Sequence, residues 1–176
     1  MKRKHVYHIA LTAVLAAMTT VAILFLRVDL GYGIVHLGDA VILLAAVLLP
    51  TPYAMVVGAL GGSMANVLGA GGIIWAPATF VIKALITMPF SAKQKELITT
   101  RNLIMLAPYS AITIVGYALY RWLLIGLGTF SAPDGVWVAV VPNLVGDIVQ
   151  TVGSAMLFIA LAAILEKTKF KQRINL

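Results

Sequence analysis

From Val141 to Leu165 the chain carries a single charged residue, Asp147. About 20 consecutive apolar residues are what a helix needs to cross a bilayer. Within lipid, backbone N–H and C=O groups must be satisfied inside the fold, so such a run is helical. Five more apolar runs precede it, at Val6–Leu26, Leu37–Leu49, Ala54–Leu68, Ile74–Phe90 and Asn102–Ile125. Six spans and their joins consume nearly all 176 residues, of which 61% are hydrophobic and only 11% charged. The expected fold is therefore an all-α integral membrane protein, one six-helix domain over residues 1–176. The first span is too long for the h-region of a signal peptide, and no small-residue cleavage site precedes a soluble domain.

The basic excess of +7 falls in three clusters: Lys2, Arg3 and Lys4; Lys93, Lys95 and Arg101; and Lys167, Lys169, Lys171 and Arg173. Six spans put all three on one side, which the positive-inside rule assigns to the cytoplasm together with both termini. Orientation and headgroup contact account for these charges, and nucleic acid is not required. With no cysteine, disulfides, thiolate metal sites and a Cys nucleophile are excluded.

The informative residues are the polar ones that helical spacing places on common faces. In the sixth span Asn143, Asp147, Gln150 and Ser154 recur at i, i+4, i+7 and i+11. Exposing a carboxylate and two amides to lipid is costly, so this stripe lines an interior. In the fifth span Tyr109, Thr113, Tyr117 and Tyr120 share a face, and their hydroxyls need partners. In the fourth, Trp75, Thr79 and Lys83 fall together. A mid-membrane lysine costs roughly 2.5–3.5 kcal/mol on the insertion scale, so Lys83 faces a partner carboxylate or a ligand. Depth alone leaves open whether that carboxylate is Asp147. The third span carries Gly58, Gly62 and Asn66 at intervals of four, a face for close helix packing. Ala13 and Ala17 form a similar small-residue face on the first span, which suits either internal packing or docking of another protein.

Arg27–His36 reads as an outer loop in which Gly31 and Gly33 flank Tyr32, an arrangement that permits hinge motion. The second span is short, so its polar lead-in, His36-Leu37-Gly38-Asp39, is expected to lie inside the protein. Pro50 and Pro52 end it in a turn. Together Tyr32, His36, Trp75, Lys83, Tyr109, Tyr117, Asn143, Asp147 and Gln150 describe a small, aromatic-rimmed polar pocket near the outer face. Few convergent polar groups on an aromatic wall suit a flat heteroaromatic ligand. Catalysis lacks support: there is no H-E-x-x-H, no carboxylate pair on one helix and no ATP-binding motif. Nothing in the residues calls for a metal or cofactor. A stand-alone secondary carrier would be expected to show internal repeats, and none is evident.

The six spans, Ala13-x-x-x-Ala17, Val35-His-Leu-Gly-Asp-Ala40, the Gly-rich third span and the Asn143…Gln150 face resemble the substrate-binding S components of energy-coupling factor (ECF) vitamin transporters. The resemblance covers nearly the whole chain. It implies a bacterial plasma-membrane protein that binds a vitamin near its outer face. It also implies docking through Ala13 and Ala17 onto a membrane scaffold (T) subunit, with two ATPase subunits (A and A′) powering uptake. The compact pocket and Asp147 incline the reading toward pyridoxine or hydroxymethylpyrimidine, with riboflavin and pantothenate as alternatives.

Overall fold

The structure is a computed structural model that describes residues 2–29, 34–131, 133 and 135–173. Tyr32, together with Gly31 and Gly33, lies outside the described residues, as does Asp134.

Helix α1 (Lys2–Phe25) contains neither glycine nor proline across its 24 residues. The expected outer loop is instead a hairpin of β1 (Arg27–Asp29) and β2 (Ile34–His36), antiparallel with Arg27 opposite His36. Its Val28 and Val35 are β-branched and sit opposite each other, a pairing that favours strand. Helix α2 (Gly38–Leu48) has 11 residues, and Leu49 is extended because Pro50 follows it. Helix α3 (Thr51–Val67) opens with Pro52 in its first turn, where a missing N–H is tolerated. It ends in a glycine turn in which Gly69, Gly71 and Gly72 all take positive φ.

A 3-10 turn (Ile73–Trp75) leads into α4 (Ala76–Leu85), which stops short of the expected Phe90 and continues as turns. The fifth segment is divided at Met105 into α5 (Thr100–Ile104) and α6 (Leu106–Gly126). Pro108 lacks the N–H that would bond the Ile104 carbonyl across that break. Helix α7 (Val136–Lys167) begins earlier than expected and runs 32 residues through Pro142. Helix α8 (Phe170–Arg173) follows Lys169, whose φ of 52° folds the chain back.

Three segments, Lys4–Phe25, Thr100–Gly126 and Val140–Lys167, are long and apolar enough to cross a membrane unaided. The shorter α2 is the core around which they pack. Ala40, Ile42, Leu43, Ala45, Val47 and Leu49 have no exposed surface, so its unbroken apolar run meets protein on every side.

Four side chains gather the basic clusters at one end. His5 Nδ1 meets Tyr53 Oη at 2.6 Å. Lys171 Nζ donates to the carbonyls of Val47 and Gln94 at 2.8 and 2.7 Å. Glu166 accepts from the backbone N–H groups of Leu97 and Ile98. Buried Asn102 holds the 91–97 loop by donating to the Ser91 and Leu97 carbonyls. The hairpin, the glycine turn and the α6–α7 connection occupy the other end.

Helix α3 lies wedged between α1 and α4. A Cβ at Gly61 would come within 2.8 Å of the Ala16 carbonyl oxygen, and one at Gly58 would run into the Lys83 carbonyl. Neither backbone can retreat without parting two helices. Gly58→Ala is therefore expected to destabilise the protein by about 1–3 kcal/mol or more. A thermal melt of the detergent-purified variant, alongside Gly126→Ala in α6, whose Cβ would meet open space, separates overpacking from general sensitivity to glycine loss.

Candidate substrate-binding site

Three helical stripes converge beneath the hairpin. The first, from the 3-10 turn and α4, presents Trp75, Thr79 and Lys83 one turn apart. The α6 stripe is Tyr109, Thr113, Tyr117 and Arg121, again at intervals of four. The third, on α7, is Asn143, Asp147 and Gln150. Between them lies a cavity of about 200 Å³, lined from these stripes by Trp75, Thr79, Tyr117, Arg121, Asn143, Asp147 and Gln150. Strand β2 adds His36, and the end of α3 adds Asn66, Ala70 and Gly71.

The upper wall is aromatic and cationic. Trp75 packs edge-on against Tyr120 with centroids 5.6 Å apart, and against Phe130 at 6.0 Å. The Arg121 guanidinium stands 5.6 Å over the Trp75 ring and 6.0 Å over that of Tyr117. It also donates to both oxygens of Asp147, at 2.6 and 3.1 Å, joining α6 to α7. Such a fork is the strong geometry for a guanidinium–carboxylate pair. Thr79 Oγ1 accepts from Asn66 Nδ2 at 2.6 Å and shares a hydrogen bond with Tyr117 Oη at 3.1 Å. The tyrosine and threonine hydroxyls of α6 all find partners, as burial in an apolar environment demands: Thr113 donates to the Tyr109 carbonyl and Tyr120 to that of Ile74.

Below the cavity a second pair is sealed from solvent. Lys83 Nζ lies 2.7 Å from Asp39 Oδ2, both side chains fully buried. The same oxygen accepts from Tyr109 Oη at 3.1 Å and Gln150 Nε2 at 3.2 Å. Gln150 thus touches both cavity and buried pair. Among the described residues, His36 Nδ1 and Asp39 Oδ1 are buried side-chain atoms without a hydrogen-bond partner. His36 lies in β2, outside the spanning helices, and burial pulls its pKa down to about 4, leaving the imidazole neutral. With Arg121 matched by Asp147, the lining has no net charge and suits an uncharged ligand.

Of the expected residues, His36, Trp75, Tyr117, Asn143, Asp147 and Gln150 line the cavity. Lys83 and Tyr109 do not: they lie beneath it on Asp39. The carboxylate left open for Lys83 is Asp39, sealed more deeply than Asp147, which Arg121 holds. Arg121 was missed, although it continues the Tyr109, Thr113, Tyr117 row by one more interval of four. Asn66, read with Gly58 and Gly62 as part of a packing face, also lines the cavity, and so does Thr79 from the Trp75–Lys83 stripe. Ala13 and Ala17 are exposed on α1, away from the cavity.

A family model, ECF-type riboflavin transporter, S component, matches residues 3–167. No curated protein matches the chain in a sequence comparison.

Removing one member of a buried pair leaves the other uncompensated and typically costs about 3–5 kcal/mol, whereas replacing both is far milder. Lys83→Met is expected to destabilise by that amount, and Asp39→Asn with Lys83→Met to recover most of it. Thermal unfolding of both variants checks this: equal losses would mean that the pair does not act as a unit.

Proposed function

Because this chain belongs to the S components of ECF-type riboflavin transporters, we propose that it captures riboflavin, or a close flavin, at the outer face of a bacterial plasma membrane. S components are transport subunits that work with a T scaffold and two ATPase subunits. The observation that carries the reading is the cavity: an uncharged chamber with aromatic rings on one wall and amides on the other. Trp75 and Tyr117 suit the face of a flat ring system. Asn66, Asn143 and Gln150 each carry both a donor and an acceptor, which the alternating carbonyl and N–H edge of a flavin requires. The orphaned Nδ1 of His36 offers one more polar contact.

The preference for pyridoxine or hydroxymethylpyrimidine rested on a compact pocket and on Asp147. Both Asp147 oxygens are engaged by Arg121, which weakens the second ground, and the family match favours riboflavin. The gathered basic clusters support an orientation with both termini in the cytoplasm, so that the cavity opens outward. The exposed Ala13 and Ala17 leave α1 flat enough for a helix of the scaffold to approach closely.

Titrating the purified chain with each of riboflavin, pyridoxine and hydroxymethylpyrimidine and following tryptophan fluorescence, to which Trp75 on the cavity wall contributes, tests the substrate. Quenching is expected with riboflavin and not with pyridoxine or hydroxymethylpyrimidine, and the reverse order would overturn the assignment. Asp147→Asn, which unbalances the Arg121 fork, is expected to weaken binding by roughly 10- to 100-fold, since hydrogen bonds to charged groups contribute about 1.5–3 kcal/mol. Ala13→Trp and Ala17→Trp are expected to keep ligand affinity but lose co-purification with the scaffold and ATPases. Normal recovery of the complex would remove α1 as the docking face.

A further inference from the structure

The basic end of the molecule holds a second cavity, of about 280 Å³, that has no part in the site beneath the hairpin. Lys95 of the 91–99 loop lines it together with Lys169, Lys171, Leu165 and Phe170 from the end of α7 and from α8. Segments 91–101 and 165–173 together carry seven basic residues and two acidic ones. Among the described residues the ion pairs are Lys83–Asp39 and Arg121–Asp147, so none of these seven cations has a carboxylate within 4.0 Å.

The reason is visible in the two acids. Glu166 lines the cavity but turns one carboxylate oxygen onto the backbone N–H groups of Leu97 and Ile98. Glu96, also on the wall, is exposed to solvent. Lys171 is buried, and two of its three ammonium protons go to the Val47 and Gln94 carbonyls, leaving the third for the cavity it lines. Burial pulls its pKa below the ordinary lysine value, only partly countered by the Glu166 carboxylate, and a further anion would offset the remaining penalty. The left-handed turn at Lys169 brings this end of the chain back toward Lys95. Leu165 and Phe170 give the same cavity an apolar side.

We propose that this cavity is a binding site for the phosphate of an anionic lipid headgroup, with Lys95, Lys169 and Lys171 as donors and Leu165 and Phe170 against the glycerol and acyl end. A basic recess at the membrane surface attracts anionic lipid by about 1 kcal/mol per lysine. Free inorganic phosphate shares the headgroup's chemistry but would leave the apolar side unused.

The test is native mass spectrometry of the full chain with an equimolar mixture of phosphatidylglycerol and phosphatidylcholine, with thermal unfolding in parallel. The expected result is selective retention of phosphatidylglycerol. In Lys95→Gln with Lys169→Gln, both solvent-exposed positions, its affinity should fall about 10- to 30-fold. Lys167→Gln with Arg173→Gln removes as much charge outside the cavity and should cost clearly less. Equal losses in the two double variants would reduce the site to a diffuse basic surface and overturn it, as would indifference between the two lipids. Stabilisation by millimolar phosphate matching that by phosphatidylglycerol would assign the site to the free anion instead and overturn the lipid.

Discussion

A lysine and an aspartate sealed together inside a membrane bundle are the constraint on which the rest of this structure depends. Neither Lys83 nor Asp39 has any exposed side-chain surface, and neither tolerates that setting alone. Their contact fixes α4 against the start of α2. Tyr109 and Gln150 then bring α6 and α7 to the same carboxylate oxygen. Four helices are thus referenced to one atom. Apolar packing in lipid is tolerant of sliding and rotation, because lipid tails are as apolar as leucine. A convergent polar node has no such tolerance, so it sets the register in which the three cavity stripes meet.

The two ion pairs have different settings and different consequences. The lower one is dry and surrounded by donors, and it serves the architecture. Arg121 and Asp147 border the cavity, with side chains 14% and 10% exposed. There the guanidinium spreads over two aromatic rings while remaining electrically matched. The result is a wall that is polar and aromatic and carries no net charge. A chamber of this kind holds a neutral solute by shape, stacking and hydrogen bonding, and it supplies no energy for moving that solute. That division of labour agrees with membership of a transporter family in which ATP hydrolysis resides in other subunits.

Much of this was legible in the residues. Apolar length located the helices, and the i, i+4, i+7 spacing of Asn143, Asp147 and Gln150 identified an interior face. Partner choice was less accessible. Lys83 had two carboxylates within plausible reach, and only the depth at which α2 begins decides for Asp39. Asp39 was placed in the lead-in expected inside the protein, but nothing in that short motif says which cation it meets. Arg121 was obscured by Tyr120 beside it: both fit a helical stripe, and the tyrosine matched the aromatic theme. The hairpin was hidden because three-residue strands carry too little pattern to separate from a loop. The last helix, expected from Val141, begins at Val136 and runs through Pro142.

The brevity of α2 has a consequence for how the protein is made. Eleven residues at about 1.5 Å each reach little more than half of a 30 Å hydrocarbon layer. Helix α4 is no longer, and it carries an ammonium group. Neither segment is stable as an isolated passenger in lipid, whereas α1 and the two long C-terminal helices are. Biogenesis therefore cannot proceed by laying six independent rods into the bilayer and letting them associate afterwards. In the finished bundle α2 is sheltered by α1, α3 and α7, and α4 by α3 and α6, so each short element depends on helices that come both before and after it in the chain.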